Sequence, residues 1–211
     1  MKRAILYLLA IIGWITLAYR IYLKITTSSL PFIEAIVEFF SYFTVLTNLL
    51  VTIYCTLQLI SIDRQKQTNI FLKKETLTAL TVFILLVGMV YHLVLKSLWK
   101  PEGLLMITDE IYHTFVPLGT LFLWIFSTNN KLSNLKYLFS WLLYPALYLT
   151  FVLIRGSFSN FYPYPFINVA ELGIEKVMLN SLYLLIGMSL LFLIFYFIEK
   201  KILVKTVSNN S

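Results

Sequence analysis

Charge, cysteine and histidine are all scarce in this chain of 211 residues: 13% of its residues are charged, two are histidine and one is cysteine. Each scarcity excludes something. Cys55 stands alone inside an apolar run, so an intramolecular disulfide is impossible and a CxxC metal or redox site is absent. There is no HExxH, no glycine-rich phosphate loop and no cysteine cluster, so no metal or organic cofactor is implied. The shortage of charge has the widest consequence. With 59% hydrophobic residues and a mean hydropathy of +0.82, a soluble domain of this length cannot hide its apolar surface, and the composition is that of a membrane protein. The formal net charge of +7 does not indicate nucleic acid, because the basic residues stand at the ends of apolar runs, where membrane topology accounts for them. No segment is long and polar enough for a second domain, and no internal repeat is evident. Residues 1–211 therefore read as a single polytopic membrane domain.

What is present is a series of long apolar runs. A spanning helix needs roughly 20 apolar residues, since the hydrocarbon is about 30 Å thick and each residue rises about 1.5 Å. Six runs meet this, near Ile5–Leu23, Ala35–Ile60, Leu77–Leu95, Leu105–Phe126, Leu135–Ile154 and Val177–Ile198. They predict an all-α membrane protein, a six-transmembrane-helix bundle. The breaks "SIDRQKQTN", "KSLWKPEG", "STNNKLSN" and "RGSFSNFYPYPF" read as turns or interfacial loops. Lys2 and Arg3 ahead of an apolar stretch imitate a signal peptide, but the run continues to Tyr22 without a small-x-small site, which predicts a retained first helix. With the N-terminus inside, the inner side holds Lys2, Arg3, Arg64, Lys66, Lys73, Lys74, Lys131, Lys136, Lys200, Lys201 and Lys205, and the outer side Arg20, Lys24, Lys96, Lys100, Arg155 and Lys176. Eleven against six places both termini in the cytoplasm.

Two runs are impure, and their impurities are patterned. In the second, Glu34, Glu38, Ser41, Thr44 or Val45, Asn48, Thr52 and Cys55 recur at three- and four-residue steps, a polar stripe on one helical face. Such a stripe faces the bundle interior, because a lipid-facing Glu or Asn lacks partners. For Ser41, Thr47 and Thr52 the plain explanation is that small polar residues hold helices together. In the fourth run, Asp109, His113 and Pro117 stand four residues apart on one face. A carboxylate one turn before an imidazole can set its tautomer and stabilise the imidazolium, while Pro117 loosens the backbone below. Measured from the starts of their helices, Thr44 and His113 lie at similar depth, roughly 15 Å along. A threonine hydroxyl becomes a useful nucleophile when a neutral imidazole takes its proton during attack. Thr44, His113 and Asp109 thus form a candidate hydroxyl–imidazole–carboxylate relay, with Asn48 as a possible oxyanion donor. A hydrogen-bonded structural histidine is the competing reading of His113.

Other residues have plain and functional readings side by side. Arg155, at the end of the fifth run, is either a snorkelling interfacial arginine or a partner for Glu34, Glu38 or a substrate carboxylate. "FYPYPF" reads as interfacial, because Pro163 and Pro165 resist helix and the tyrosines suit the headgroup layer. Asn168 and Glu171 stand beside it at the edge of a possible cavity mouth. His92, with His113, raises paired haem ligation; its shallower depth argues against that.

Four segments, "YFTVLTNLLV", "DEIYHTFVPLG", "WLLYPALYLTFVLIRG" and "FYPYPFINV", together resemble the androgen-induced membrane protein family and its bacterial relatives, across about Ser41 to Val169. That resemblance implies a multi-helix membrane protein, and characterised animal members hydrolyse fatty acid esters of hydroxy fatty acids. It also implies a threonine nucleophile in a Y-x-T context, which falls on Thr44, and a histidine before T-x-x-P, which falls on His113. Thr47 competes for the first role, and the family assigns Asp109 none. The expectation is an intramembrane lipid-ester hydrolase in the bacterial plasma membrane, its partners being membrane lipids and an acyl-chain or lipid-ester substrate. Two rivals remain. One is a small-molecule or proton-coupled transporter using Glu34, Glu38, His92, His113 and Arg155; the other is a lipid-binding protein without turnover.

Overall fold

The computed structural model describes residues 1–64, 73–127 and 132–208, and among these it is all-helical, without a strand. Lys66 and Lys131, counted above with the inner cations, lie outside the described residues, as do the side chains of Arg64 and Lys205 and most of the turns at 61–69 and 127–134.

Helix α1 spans Lys2–Thr27 and runs uninterrupted because its apolar sequence contains no proline. At its end the Thr26 and Thr27 hydroxyls donate to the Tyr22 and Leu23 carbonyls, and Ser28 turns to an extended conformation ahead of Pro31. The second predicted run is not one helix. It divides into α2 (Phe32–Phe39) and α3 (Phe43–Arg64). At the break the Ser41 hydroxyl donates to the Val37 carbonyl (2.7 Å), while the Ser41 N–H moves to the Glu38 carbonyl (3.1 Å). A side chain competing for the i−4 carbonyl bends or ends a helix, so the polarity of Ser41 has a local structural cause.

Helix α4 spans Lys74–Leu95, and its last turn, Tyr91–Leu95, is π-helical. Helix α5 covers residues 103–127. It starts at Gly103, whose φ of +58° suits glycine, and it carries its own π-helical turn at Ile111–Phe115. Helix α6 (Leu135–Ser159) is interrupted at Trp141 and Leu142. Pro145 is the reason: it has no N–H to give the Trp141 carbonyl, and its ring crowds that oxygen. Two short pieces follow, a 3-10 turn at Pro165–Ile167 and α7 (Val169–Leu172), before the long α8 (Ile174–Ser208).

Five helices among the described residues are long and apolar enough to cross a membrane: Lys2–Thr27, Phe43–Ser61, Lys74–Leu95, Leu135–Ser159 and Ile174–Ile202. Helix α5 is comparably long but is not one of them. Asp109, Glu110 and His113 interrupt its apolar run.

The chain divides into two compact units, Met1–Lys131 and Leu132–Ser211. In the first, α1 packs on α3 and α5, and α4 packs on α3 and α5, so the four long helices close a ring. In lipid, where apolar side chains gain little by meeting each other, close packing at small residues and interhelical hydrogen bonds hold such a ring. Gly13 of α1 lies against Thr52 of α3 with no room for a side chain. Trp14 donates to Thr56 (3.0 Å) and Trp124 to Thr78 (3.0 Å), tying α1 to α3 and α5 to α4. In the second unit the buried Glu199 carboxylate of α8 accepts from the Ser133 N–H (2.9 Å) just ahead of α6, and Asn180 donates to the Phe166 carbonyl (2.9 Å).

Candidate functional site

The polar heart of the first unit is built outward from the π turn of α5. His113, 8% exposed, places Nδ1 at 2.9 Å from the Asp109 main-chain oxygen and 3.6 Å from Asp109 Oδ2. A carbonyl can only accept, so Nδ1 carries the proton in that bond, and Nε2 of the neutral ring is left as the basic nitrogen. The backbone below is opened by Pro117, which has no N–H for the His113 carbonyl. Gly88 of α4 fits against that carbonyl so closely that a Cβ there would lie 2.8 Å from it. A π turn widens the helix by one residue per turn and recurs at functional sites; here it accompanies the histidine.

The other three long helices each contribute. From α4, Tyr91 stacks on the imidazole with ring centroids 3.9 Å apart and planes at 11°, and its phenol lies within interaction range of the Asp109 carboxyl. From α1, Arg20 brings Nη1 to 3.5 Å from both Asp109 Oδ1 and Thr108 Oγ1, with its guanidinium carbon 5.6 Å from the centre of the Tyr112 ring. From α3, the Asn48 amide donates to the Thr44 carbonyl (2.8 Å) and to the Tyr112 carbonyl (3.4 Å). That bond sets the Thr44–Asn48 turn level with the residue before His113.

Asp109 is thus enclosed, with a guanidinium on one side and an imidazole on the other. Neither contact is a short hydrogen bond, and Asp109 Oδ2, Asn48 Oδ1 and Tyr112 Oη are buried without a hydrogen-bond partner among the described residues. Buried polar atoms of this kind carry an electrostatic cost that folded chains rarely accept without a use.

Of the remaining sequence candidates, Thr44 and Thr47 share the turn that Asn48 ties to Tyr112, and the others fall elsewhere. Thr44 (9% exposed) and Thr47 (0%) are both buried on α3. Thr52 donates to the Asn48 carbonyl (2.8 Å), which satisfies it within its own helix. Glu38 pairs with Lys24, and Glu34 is exposed on α2. His92 belongs to a separate, exposed hydrogen-bonded chain. Lys96 donates to Glu110 (2.9 Å), Thr114 donates to the other Glu110 oxygen (2.7 Å), and His92 Nε2 lies 2.9 Å from the Thr114 hydroxyl. Because Thr114 gives its single proton to Glu110, it accepts from His92, which makes Nε2–H the donor. The bonds therefore place a proton on Nε2 of His92 and on Nδ1 of His113. Arg155 lies in the second unit, on the Phe161 ring. Asn168 caps α7, its side chain accepting from the Ala170 N–H (3.1 Å).

Arg20, Tyr91, Thr108 and Tyr112 are participants that the sequence patterns do not single out. In sequence Arg20 reads as a flanking cation, and its only signal is a position inside the apolar run of α1. Among the described residues no group of three or more His, Cys, Asp or Glu is arranged to hold a metal ion. Comparison with family models, with curated proteins and with solved structures returns no match.

Proposed function

We propose that the first unit is an intramembrane hydrolase of lipid carboxylic esters, with Thr44 as nucleophile and His113 as general base. The observation that carries this reading is the commitment of His113 Nδ1–H to the Asp109 carbonyl. It leaves Nε2 as a proton acceptor in a buried site, the state a general base requires. The Asn48 cross-link holds the turn that carries both Thr44 and Thr47 at the level of His113, and the Y-x-T context of Thr44 favours it as the nucleophile. Asp109 balances the imidazolium formed during attack, and the buried Tyr112 hydroxyl is available to donate to a polarised carbonyl. The Asn48 amide, whose N–H groups go to the Thr44 and Tyr112 carbonyls, does not take the oxyanion role expected from sequence. Acyl chains reach such a chamber through lipid, without crossing water.

On this reading α5 is the sixth crossing. It offers about 37 Å of helix at 1.5 Å per residue, and Asp109 and His113 turn inward, where ionisable groups in a membrane find partners. The excess of inner Lys and Arg then sets both termini in the cytoplasm of a bacterial plasma membrane. The test is ester hydrolysis by the purified protein in lipid nanodiscs, with a fatty acid ester of a hydroxy fatty acid as substrate. Thr44→Ala and His113→Ala each lose turnover by roughly 10²-fold or more, while Thr47→Ala retains most of it. Full turnover in folded Thr44→Ala and His113→Ala would overturn the reading.

Proton-coupled transport is a second reading, and one observation favours it: the exposed chain in which Lys96 directly, and His92 through Thr114, both donate toward Glu110. Proteoliposome uptake that persists in Thr44→Ala and fails in Glu110→Gln would select it.

A further inference from the structure

The second unit contains an arginine held in place without an anion. Helix α6 ends at Ser159, and Asn160 adopts a left-handed conformation (φ 55°, ψ 15°) that reverses the chain. The reversal is stitched locally. The Asn160 N–H donates to the Gly156 carbonyl (2.9 Å), the Ser159 hydroxyl to the Arg155 carbonyl (2.9 Å), and the Phe161 N–H to the Ser159 hydroxyl (3.3 Å). Two rings are thereby folded back onto the last turn of α6. Tyr162 covers Gly156, where any side chain would collide with the ring. Phe161 covers Arg155, its centroid 4.7 Å from the guanidinium carbon.

Arg155 is always charged and has five donors. Its Nη1 is shielded from solvent and has no hydrogen-bond partner among the described residues. The buried carboxylate of the same unit, Glu199, accepts from the Ser133 N–H. A snorkelling arginine normally extends until its charged end reaches water. Here Nη1 stops short of it, with the Phe161 ring against the guanidinium. A desolvated guanidinium donor without an acceptor is unfavourable, and an anion supplied from outside the chain relieves it.

The place of Arg155 identifies the anion. It sits just before the last turn of a helix long and apolar enough to span a membrane, followed by the Phe, Tyr and Pro residues of 161–166 that suit the headgroup layer. Phosphate oxygens match the guanidinium fork and accept two parallel N–H bonds. We propose that Arg155, clamped by Phe161, binds the phosphodiester of an anionic phospholipid. The site is independent of the hydrolase reading and uses none of its residues.

The experiment incorporates the full-length protein into phosphatidylcholine nanodiscs with a rising fraction of phosphatidylglycerol. Lipid retained on the protein after release into detergent is counted by native mass spectrometry, and the thermal midpoint is followed in parallel. The wild type retains phosphatidylglycerol in preference to phosphatidylcholine and gains midpoint with it. Arg155→Gln binds it about tenfold more weakly, the loss expected of one charge-assisted contact. Equal retention by wild type and Arg155→Gln overturns the proposal. So does displacement of the lipid by millimolar inorganic phosphate, which marks a simple anion site, or by oleate, which marks a fatty carboxylate site. Should Arg155→Gln fail to fold, Phe161→Leu decides. It keeps the charge but frees the guanidinium, and unchanged phosphatidylglycerol affinity in that variant also overturns the proposal.

Discussion

The two units of this chain set their polar groups in surroundings of very different burial. In the first, the helices Lys2–Thr27, Phe43–Ser61 and Lys74–Leu95 bury 33%, 50% and 61% of their apolar windows, whereas Leu135–Ser159 and Ile174–Ile202 of the second each bury 17%. The well-buried unit gathers ionisable groups from several helices around one carboxylate, leaving Asp109 with two loose partners. In the sparsely buried unit no such convergence is seen among the described residues: Glu199 takes one backbone N–H from the far end of the unit, and Arg155 is covered by a ring six residues further along the chain. The lesson is about cost. A convergent polar interior requires a packed ring of helices to enclose it, and an arrangement that leaves groups under-satisfied lasts only where the surrounding structure over-determines it.

The strongest way to break this comparison is to separate activity from stability. His113→Ala in the first unit is expected to lower ester turnover by about 10³-fold with the fold retained, while Glu199→Ala in the second leaves turnover unchanged. Steady-state hydrolysis and circular dichroism on the same samples check both. Next in size is the Arg20–Asp109 pair. Arg20→Met strands a buried carboxylate and costs about 3 kcal/mol in thermal or denaturant unfolding, whereas the double variant Arg20→Met with Asp109→Leu recovers most of that loss. A double variant no better than the single would show that the pair is not what holds α1 to α5 at this level.

Smaller effects sharpen the contrast. Glu199→Ala removes the acceptor of the buried Ser133 N–H and is expected to cost about 2 kcal/mol, read as a drop in midpoint against intact activity. Gly88→Ala drives a methyl into the His113 carbonyl; the overpacking costs about 1–2 kcal/mol, and turnover falls as well because the displaced backbone carries the imidazole. Normal kinetics in Gly88→Ala would mean the π turn does not position the base. Smallest of all, Lys96→Met breaks an exposed ion pair and shifts stability by less than about 1 kcal/mol.

Parts of this architecture are readable in residues taken one helix at a time. The break in α6 has a visible cause in Pro145, and the four-residue spacing of Asp109 and His113 is by itself enough to put them on one helical face. The break between α2 and α3 is not legible in this way, because a serine in an apolar run signals either helix glue or a bend, and only the shift of the Ser41 N–H to the Glu38 carbonyl distinguishes them. The same ambiguity covers Arg20. Its partner Asp109 lies far away in sequence, on a helix whose rotation about its own axis no local pattern specifies. His92 and His113 illustrate the limit further. They share a residue type, yet Thr114 draws a proton from Nε2 of His92 and the Asp109 carbonyl from Nδ1 of His113.

Composition and the lengths of the apolar runs were enough to commit this chain to membrane helices, because peptide groups in hydrocarbon must pair within their own segment. Helical periodicity was enough to say which residues share a face. Which faces meet was decided by the packing of α1, α3, α4 and α5 alone. A 3.6-residue repeat orders side chains around an axis but carries no information about the neighbour on the other side, and the convergence of Arg20, Asn48, Tyr91, Asp109 and His113 exists only once four such axes are set against each other.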